Sequence, residues 1–318
     1  MTDTPSSIVV IGSANIDFTV KVERLPQVGE TVSGGDFRLS FGGKGANQAL
    51  AALRAGAPVA MIAKLGRDPN GELLYRHLTT AGLSPEGLLR DDEVPSGVAL
   101  IMVDAHGRNL IAVAPGSNRR LMVADVQALG AGVFERQAGA PHRPRLLLTQ
   151  LEIPLDTVAY GLQRACDAGL MTILNPAPGR DLPEGFLALP EIITPNETEA
   201  SLLTGITVTD LETAQRAGER LIAMGSQTVI ITLGEQGCLL ARRGEVRHFP
   251  GFRVTAIDST AAGDAFNGVL AASLLEGLPL EHAIVRATAA GALCVTKRGA
   301  QESLPTRQEL DAFLASVG

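Results

Sequence analysis

The chain has 318 residues, enough for one large domain or a domain with a lid. Hydrophobic residues make up 45% of it and charged residues 19%, the balance of an ordinary folded protein rather than a disordered one. A net charge of -7 without any long Lys/Arg run argues against a nucleic-acid surface, although an acidic protein can hold phosphate where a helix N-terminus, a lysine or a metal ion makes the potential locally positive.

The start, "MTDTPSSIVVIGS", has no basic n-region and no long apolar segment. Neither signal peptide nor membrane span is therefore expected, and the expected compartment is the cytoplasm. Cys166, Cys238 and Cys294 are scattered without CxxC spacing, so burial as small hydrophobes is expected of them rather than a metal or disulfide role.

Along the chain, Val- and Ile-rich runs alternate with helical patterns. "SIVVIGS", "VAMIAKLG", "RLLLTQLE", "MTILNPAP", "EIITPNE" and "TVIITLG" read as buried parallel strands. "GELLYRHLTTAG", "PLDTVAYGLQRACDAG" and "ETAQRAGERLIAMG" read as amphipathic helices closed by glycine. This alternation predicts an α/β protein with an open, mostly parallel sheet flanked by helices and ligands beyond the C-terminal strand ends. Residues 15–41 and 97–118 break the rhythm. They read as hairpin strands with turns at "LPQVGE" and "DAHGRN", and together as a small β lid over the ligand crevice.

Several polar motifs sit at the ends of these elements. After the first strand, Asn15 and Asp17 stand two apart, so in extended chain they point to one side and suit vicinal hydroxyls. A turn cap is the plainer alternative. "SFGGKGANQALAALRAG" resembles a phosphate loop but matches neither familiar fingerprint: Gly45 follows Lys44 where the Walker pattern needs Ser or Thr, and Gln48 replaces the third glycine of the dinucleotide pattern. Gly42, Gly43 and Gly45 would let backbone approach a ligand, Lys44 supplies charge, and Asn47 opens an Ala-rich helix.

Glu152 ends a strand at the edge where such sheets bind ligands. Asn196 and Glu199 lie one helical turn apart at a helix start, fit for a magnesium water shell, for phosphate, or simply for capping. "TLGEQG", Thr232 to Gly237, is a strand ending in a glycine turn. In "DSTAAGDAFNGVLAASLLEG", Ala261, Ala262 and Gly263 precede Asp264 at the start of a long helix. Free amides there form an anion hole, and a carboxylate beside it can take a proton from an attacking hydroxyl.

These motifs, with "GSANID", "FGGKGANQA", "TQLE", "NPAP", "TPNETEA" and "VTKRGAQESLP", resemble the ribokinase branch of the PfkB carbohydrate kinase family across essentially the whole chain and in the family's order. The resemblance implies a Rossmann-like ribokinase fold, with residues 1–12, 41–96 and 119–318 as the large domain and 13–40 and 97–118 as the lid. It implies ATP-dependent phosphorylation of D-ribose at its 5-hydroxyl. Asn15, Asp17, Gly42, Gly43, Lys44, Gly45, Asn47 and Glu152 would face the sugar. Asn196, Thr232, Leu233, Gly234, Glu235, Gln236, Gly237, Gly263 and Thr288 would line the nucleotide site, with Glu199 near Mg2+. Asp264 would be the base, and the amides of Ala261, Ala262 and Gly263 the anion hole. Asp258, Thr260, Cys294, Lys297, Gly299 and Ser303 would surround K+, several through backbone carbonyls. Thr260, Lys297 and Cys294 stand where the branch often has Ile, Arg and Ala. Lids of this family often pair, implying a possible homodimer.

Two rivals remain. A nucleoside kinase on the same fold would want aromatic stacking, and the chain has no Trp and two Tyr. A non-catalytic sugar-binding regulator would have no need of Asp264 beside an anion hole. Deoxyribose, lacking one hydroxyl, stays open as a substrate.

Overall fold

The computed structural model describes residues 6–135 and 142–317. In chain order the strands and helices begin β1 (Ser6–Ile11), β2 (Asn15–Lys21), β3 (Asp36–Gly42), α1 (Lys44–Arg54), β4 (Val59–Gly66), α2 (Pro69–Thr80), β5 (Leu88–Asp91), β6 (Gly97–Val103) and β7 (Asn109–Ala114). They continue with α3 (Val123–Ala128), β8 (Arg143–Thr149), α4 (Leu155–Asp167), β9 (Met171–Leu174), β10 (Ile192–Ile193), α5 (Glu197–Thr204), α6 (Leu211–Ala223) and β11 (Thr228–Thr232). The chain closes with β12 (Cys238–Arg242), β13 (Glu245–Phe249), α7 (Ala262–Leu275), α8 (Leu280–Cys294) and α9 (Arg307–Val317).

Nine strands form one sheet in the order β13-β12-β11-β10-β9-β8-β1-β4-β5. Every pair is parallel except β11–β12 and β12–β13. The hydrophobic runs explain this centre. Ile8 to Ile11 of β1 are at most 2% exposed, because helices cover both faces of the sheet. Burying each such side chain stabilises the fold by about 1.5–3 kcal/mol.

The two segments that break the alternation form a second, four-stranded sheet, β3-β2-β6-β7. They join through a parallel β2–β6 ladder that sets Asn15 opposite Gly97 and Asp17 opposite Ala99. The β6–β7 turn falls at "DAHGRN" as expected: Asp104 accepts the amides of His106 and Arg108, and Gly107 takes φ 79°. "LPQVGE" differs from expectation. It lies within a long connection between Lys21 and Asp36, not in a tight hairpin turn.

Two helices bring the site together. α1 and α7 are rich in small residues, and a Cβ on Gly268 would lie 2.4 Å from the Cβ of Ala51 and 2.6 Å from the carbonyl oxygen of Gln48. Only glycine allows that approach. Of the cysteines, Cys238 and Cys294 are buried as expected, but Cys166 is exposed, because it lies on the solvent side of the amphipathic α4. Among the described residues, no helix is long and apolar enough to cross a membrane.

Candidate active site

The cleft lies beyond the C-terminal ends of the parallel strands, where an open α/β sheet leaves a crevice. It encloses about 190 Å³, and its walls include Lys44, Asn175, Thr194, Asn196, Glu199, Thr232, Ser259, Asp264 and Asn267. Asp264, in the first turn of α7, is 6% exposed. Asn47 Nδ2 donates to its Oδ2 at 2.8 Å and Gln48 Nε2 to its Oδ1 at 2.9 Å. Both donors come from α1, so the close helix contact aims two amides at one carboxylate.

The start of α7 is open toward the cleft. Ala261 adopts φ 62°, a left-handed conformation that costs a non-glycine residue about 1–2 kcal/mol. The amide of Ala262 reaches Ser259 O at 3.3 Å, and that of Ala265 bonds Ala261 O at 2.8 Å. Between them, the amides of Gly263 and Asp264 have no partner among the described residues. The amide of Ala261 is likewise without a partner among the described residues, so of the three amides expected to form an anion hole only that of Ala262 closes a turn. Asn267 fixes this end, donating to Gly263 O at 2.8 Å and accepting from the Thr194 hydroxyl at 2.6 Å.

On the far side of Asp264 lie the residues of β2 and the glycine turn. Asn118 Nδ2 donates to Asn15 Oδ1 at 2.7 Å, and the missing side chain of Gly97 leaves room for this bond. Asn118 also clasps the backbone of Ala14 through both ends of its amide. Burial, then the charges of Glu152, Asp264 and Glu302, push the Asp17 carboxyl up to about 7. Burial pulls the Lys44 ammonium down, but Asp264, Glu152 and Glu199 outweigh it, so its pKa rises. Glu152 accepts the Ser13 hydroxyl and the Lys44 amide.

The glycines of the turn serve the protein's own packing. A Cβ on Gly42 would strike the Asp17 carboxylate at 2.2 Å. On Gly43 it would meet Ala14 Cα at 2.6 Å, and on Gly45 the amide nitrogen of Ser13 at 2.4 Å. The absence of side chains lets the turn nest on residues 12–15 and on Asp17, a packing role beside the expected approach to a ligand.

Across the cleft, Asn196 and Glu199 make a reciprocal capping box, with Glu199 N to Asn196 Oδ1 at 2.8 Å and Asn196 N to Glu199 Oε2 at 3.0 Å. Burial raises the Glu199 carboxyl, and the other carboxylate oxygen has no partner among the described residues. Thr232 shares the wall, while residues 233–237 form the following turn. Thr288 lies off the cleft, its hydroxyl donating to Ile284 O at 2.9 Å.

Behind the start of α7, Asp258 takes Thr260 N at 3.0 Å on one oxygen and Gly299 N at 3.0 Å on the other, so it staples two loops. Burial opposes ionisation there, but these bonds hold the carboxyl below its ordinary range. Cys294 Sγ lies 3.5 Å from Thr260 O and 3.0 Å from Ser303 Oγ. Lys297 turns away to pair with Glu309. Among the described residues, no group of three or more His, Cys, Asp or Glu side chains is placed to hold a metal.

Gln48, Asn118, Asn175, Gln150 and Gln301 escape the motif reading. Gln48 bridges Asp264 and Asn175, and it accepts from Gln150 at 2.6 Å. One signal is present in the sequence: "NQ" is a polar pair in an otherwise small, apolar helix stretch, and both residues are buried.

A family model described as pfkB family carbohydrate kinase matches residues 5–307. Ribokinase from Haemophilus influenzae is 40% identical over 308 residues, 97% of this chain and 98% of that one. Deoxyribokinase from Salmonella typhi is 33% identical, covering 97% of this chain and 98% of its own. The structure of Arabidopsis thaliana ribokinase complexed with ribose and ATP superposes with a TM-score of 0.85 at 30% identity, covering 98% of this chain and 99% of that one. The fold, the order of the motifs and these matches agree: the chain belongs to the pfkB family of carbohydrate kinases.

Proposed function

We propose that the chain transfers the γ-phosphoryl group of ATP to the 5-hydroxyl of D-ribose, giving D-ribose 5-phosphate and ADP. The observation that carries this reading is Asp264, gripped through both oxygens and set beside the free amides of α7. Asp264 takes the proton of the sugar hydroxyl as its oxygen attacks the γ-phosphorus. The bond to the bridging oxygen of ADP breaks, and the amides of Gly263 and Asp264 hold charge on the transferred group. Asn15, Asp17, Lys44 and Asn47 hold the sugar, with Glu152 bracing Ser13 and Lys44. The nucleotide lies along Asn196, Thr232 and the turn 233–237, with Thr288 behind it.

Mg2+ carried in with ATP would neutralise phosphate charge, and the free oxygen of Glu199 suits its water shell. K+ fits loops 257–260 and 294–303, which supply the Asp258 carboxylate, the Ser303 hydroxyl and turn carbonyls. There it would rigidify the loop that carries the anion hole. Lys297, engaged by Glu309, leaves that charge to the ion.

Residues 13–40 and 97–118 act as a lid. Leu100, Leu110, Ile111 and Val113 are exposed on it, and this apolar area favours a homodimer formed through the lids. Three free thiols fit work in a reducing compartment such as the cytoplasm. Ribose is favoured over deoxyribose because Asn15 and Asp17 present two polar groups that a sugar short of one hydroxyl would leave partly unpaired. A coupled ADP-release assay on ribose, deoxyribose, fructose and adenosine tests the reading. Ribose is expected to give the highest kcat/KM, and a preference for any of the others would overturn it.

A further inference from the structure

Asp264 is held by two branches that end differently. On one side, Gln48 takes its order from Gln150, whose Oε1 is buried without a partner. On the other, Asn47 Oδ1 accepts from Gln301 Nε2 at 3.1 Å, and Gln301 Oε1 lies 2.7 Å from His77 Nε2. This second branch runs from α1 through the loop before α9 to α2, with Asn47 and Gln301 each bonded on both sides and His77 at its end.

Its direction is forced. An ionised carboxylate only accepts, so Asn47 must offer its nitrogen to Asp264 and its oxygen to Gln301. Gln301 must then offer nitrogen to Asn47 and oxygen to His77, and His77 must carry a proton on Nε2. Gln301 is 1% exposed, so a wrong orientation would strand a polar group away from water. Arg54 ties down the carbonyl of Gln301 at 2.7 Å, and Phe41 stacks on the His77 ring at 3.7 Å between centroids. The charged groups facing His77 are Glu302 and Arg54. Because a neutral Nε2–H and an imidazolium both donate, titration leaves the direction of the chain intact.

We infer that His77 and Gln301 are positioning residues that fix the orientation of the Asn47 amide and so keep a donor, rather than an oxygen, against Asp264. This rests on Asp264 being the base. Without the His77 donor, Gln301 Oε1 is left buried and unpaired, and the bond from Gln301 to Asn47 Oδ1 loosens. The Asn47 amide is then no longer held from behind, and its donor drifts from the carboxylate that must receive the sugar's proton.

His77→Phe keeps the stack on Phe41 and removes the donor, and His77→Gln restores an N–H. Gln301→Met keeps volume and removes both polar ends. Turnover per mole of folded enzyme is expected to fall about two- to tenfold in His77→Phe, with unchanged KM for ATP, and to recover in His77→Gln. Gln301→Met should lower kcat likewise, and the double variant should fall no further than Gln301→Met alone, since both act through one chain. In an Asp264→Asn background, where residue 264 can donate or accept, His77→Phe should change nothing. Wild-type kcat in His77→Phe, or independent multiplying losses in the double variant, would overturn the relay. If Asp264→Asn itself kept full turnover, the reading of Asp264 as the base would fall instead.

Discussion

Gly268 of α7 stands so close to Ala51 of α1 that a Cβ on it would lie 2.4 Å from the alanine's Cβ. That approach carries Asn47 and Gln48 to Asp264. Gly268→Ala should gain about 1 kcal/mol of helix propensity but lose about 1–3 kcal/mol to overpacking against backbone that has no room to retreat. The clash is expected to win, lowering stability in denaturant unfolding and lowering kcat as the two amides withdraw. A variant with full stability and full turnover would show that α1 and α7 part without cost.

The Asp17 carboxyl, raised from 3.8 to about 7 by burial and by Glu152, Asp264 and Glu302, gives a pH signature. A raised carboxyl binds its proton more tightly in the folded chain, so its contribution to stability is complete below the unfolded value of 3.8 and is lost as pH climbs through about 7. Sugar capture runs the other way, because hydroxyls donate to the ionised form. Ribose affinity should therefore weaken as pH falls below about 7, by up to about tenfold per unit. Asp17→Asn should flatten that dependence. Equal ribose KM one unit above and one unit below this value in the wild type would contradict it.

The four-stranded sheet should move. Its strand β3 is tied to the large domain by the Phe41–His77 stack and by Arg38–Glu302 at 3.3 Å, an exposed ion pair worth about 1 kcal/mol or less. Such anchors let a lid open and close on its substrate. Amide hydrogen exchange in residues 15–42 and 97–114 should slow on adding ribose while the nine-stranded sheet stays unchanged. Identical protection with and without ribose would count against closure.

Turnover should rise saturably with potassium when potassium replaces tetramethylammonium at fixed ionic strength. The reason is local: Asp258 joins the loop that leads into the anion hole to the loop at Gly299, and donors aimed at a phosphoryl group are worth most when preorganised. Asp258→Asn should blunt the rise. Flat activity across the titration would leave Asp258 as a staple and nothing more.

Much of this was legible because the physics is local. Buried apolar runs marked β1, β4, β8 and β11, and a loop of small residues before Asp264 marked the helix start proposed to hold phosphate. Residues 22–35 were harder, since glycines and a proline signal a turn without fixing the length of the connection. Gln48, Asn118 and Gln301 were hidden for another reason. Their partners lie far along the chain, as in Gln48 and Asp264, 216 positions apart, so only the folded arrangement reveals what they hold. The glycines around Lys44 show the same limit: their number was plain, but the backbone they nest against was not.

The central claim is that Asp264 takes the proton from the sugar hydroxyl, and Asp264→Asn tests it most directly. The carboxamide preserves size and keeps an oxygen for one of the two donors, Asn47 or Gln48, but it is no base. Steady-state kinetics on ribose and ATP, beside equilibrium ribose binding, should show turnover cut by roughly 10²–10⁴-fold with ribose affinity far less affected. Near-normal turnover in the folded variant would contradict the account.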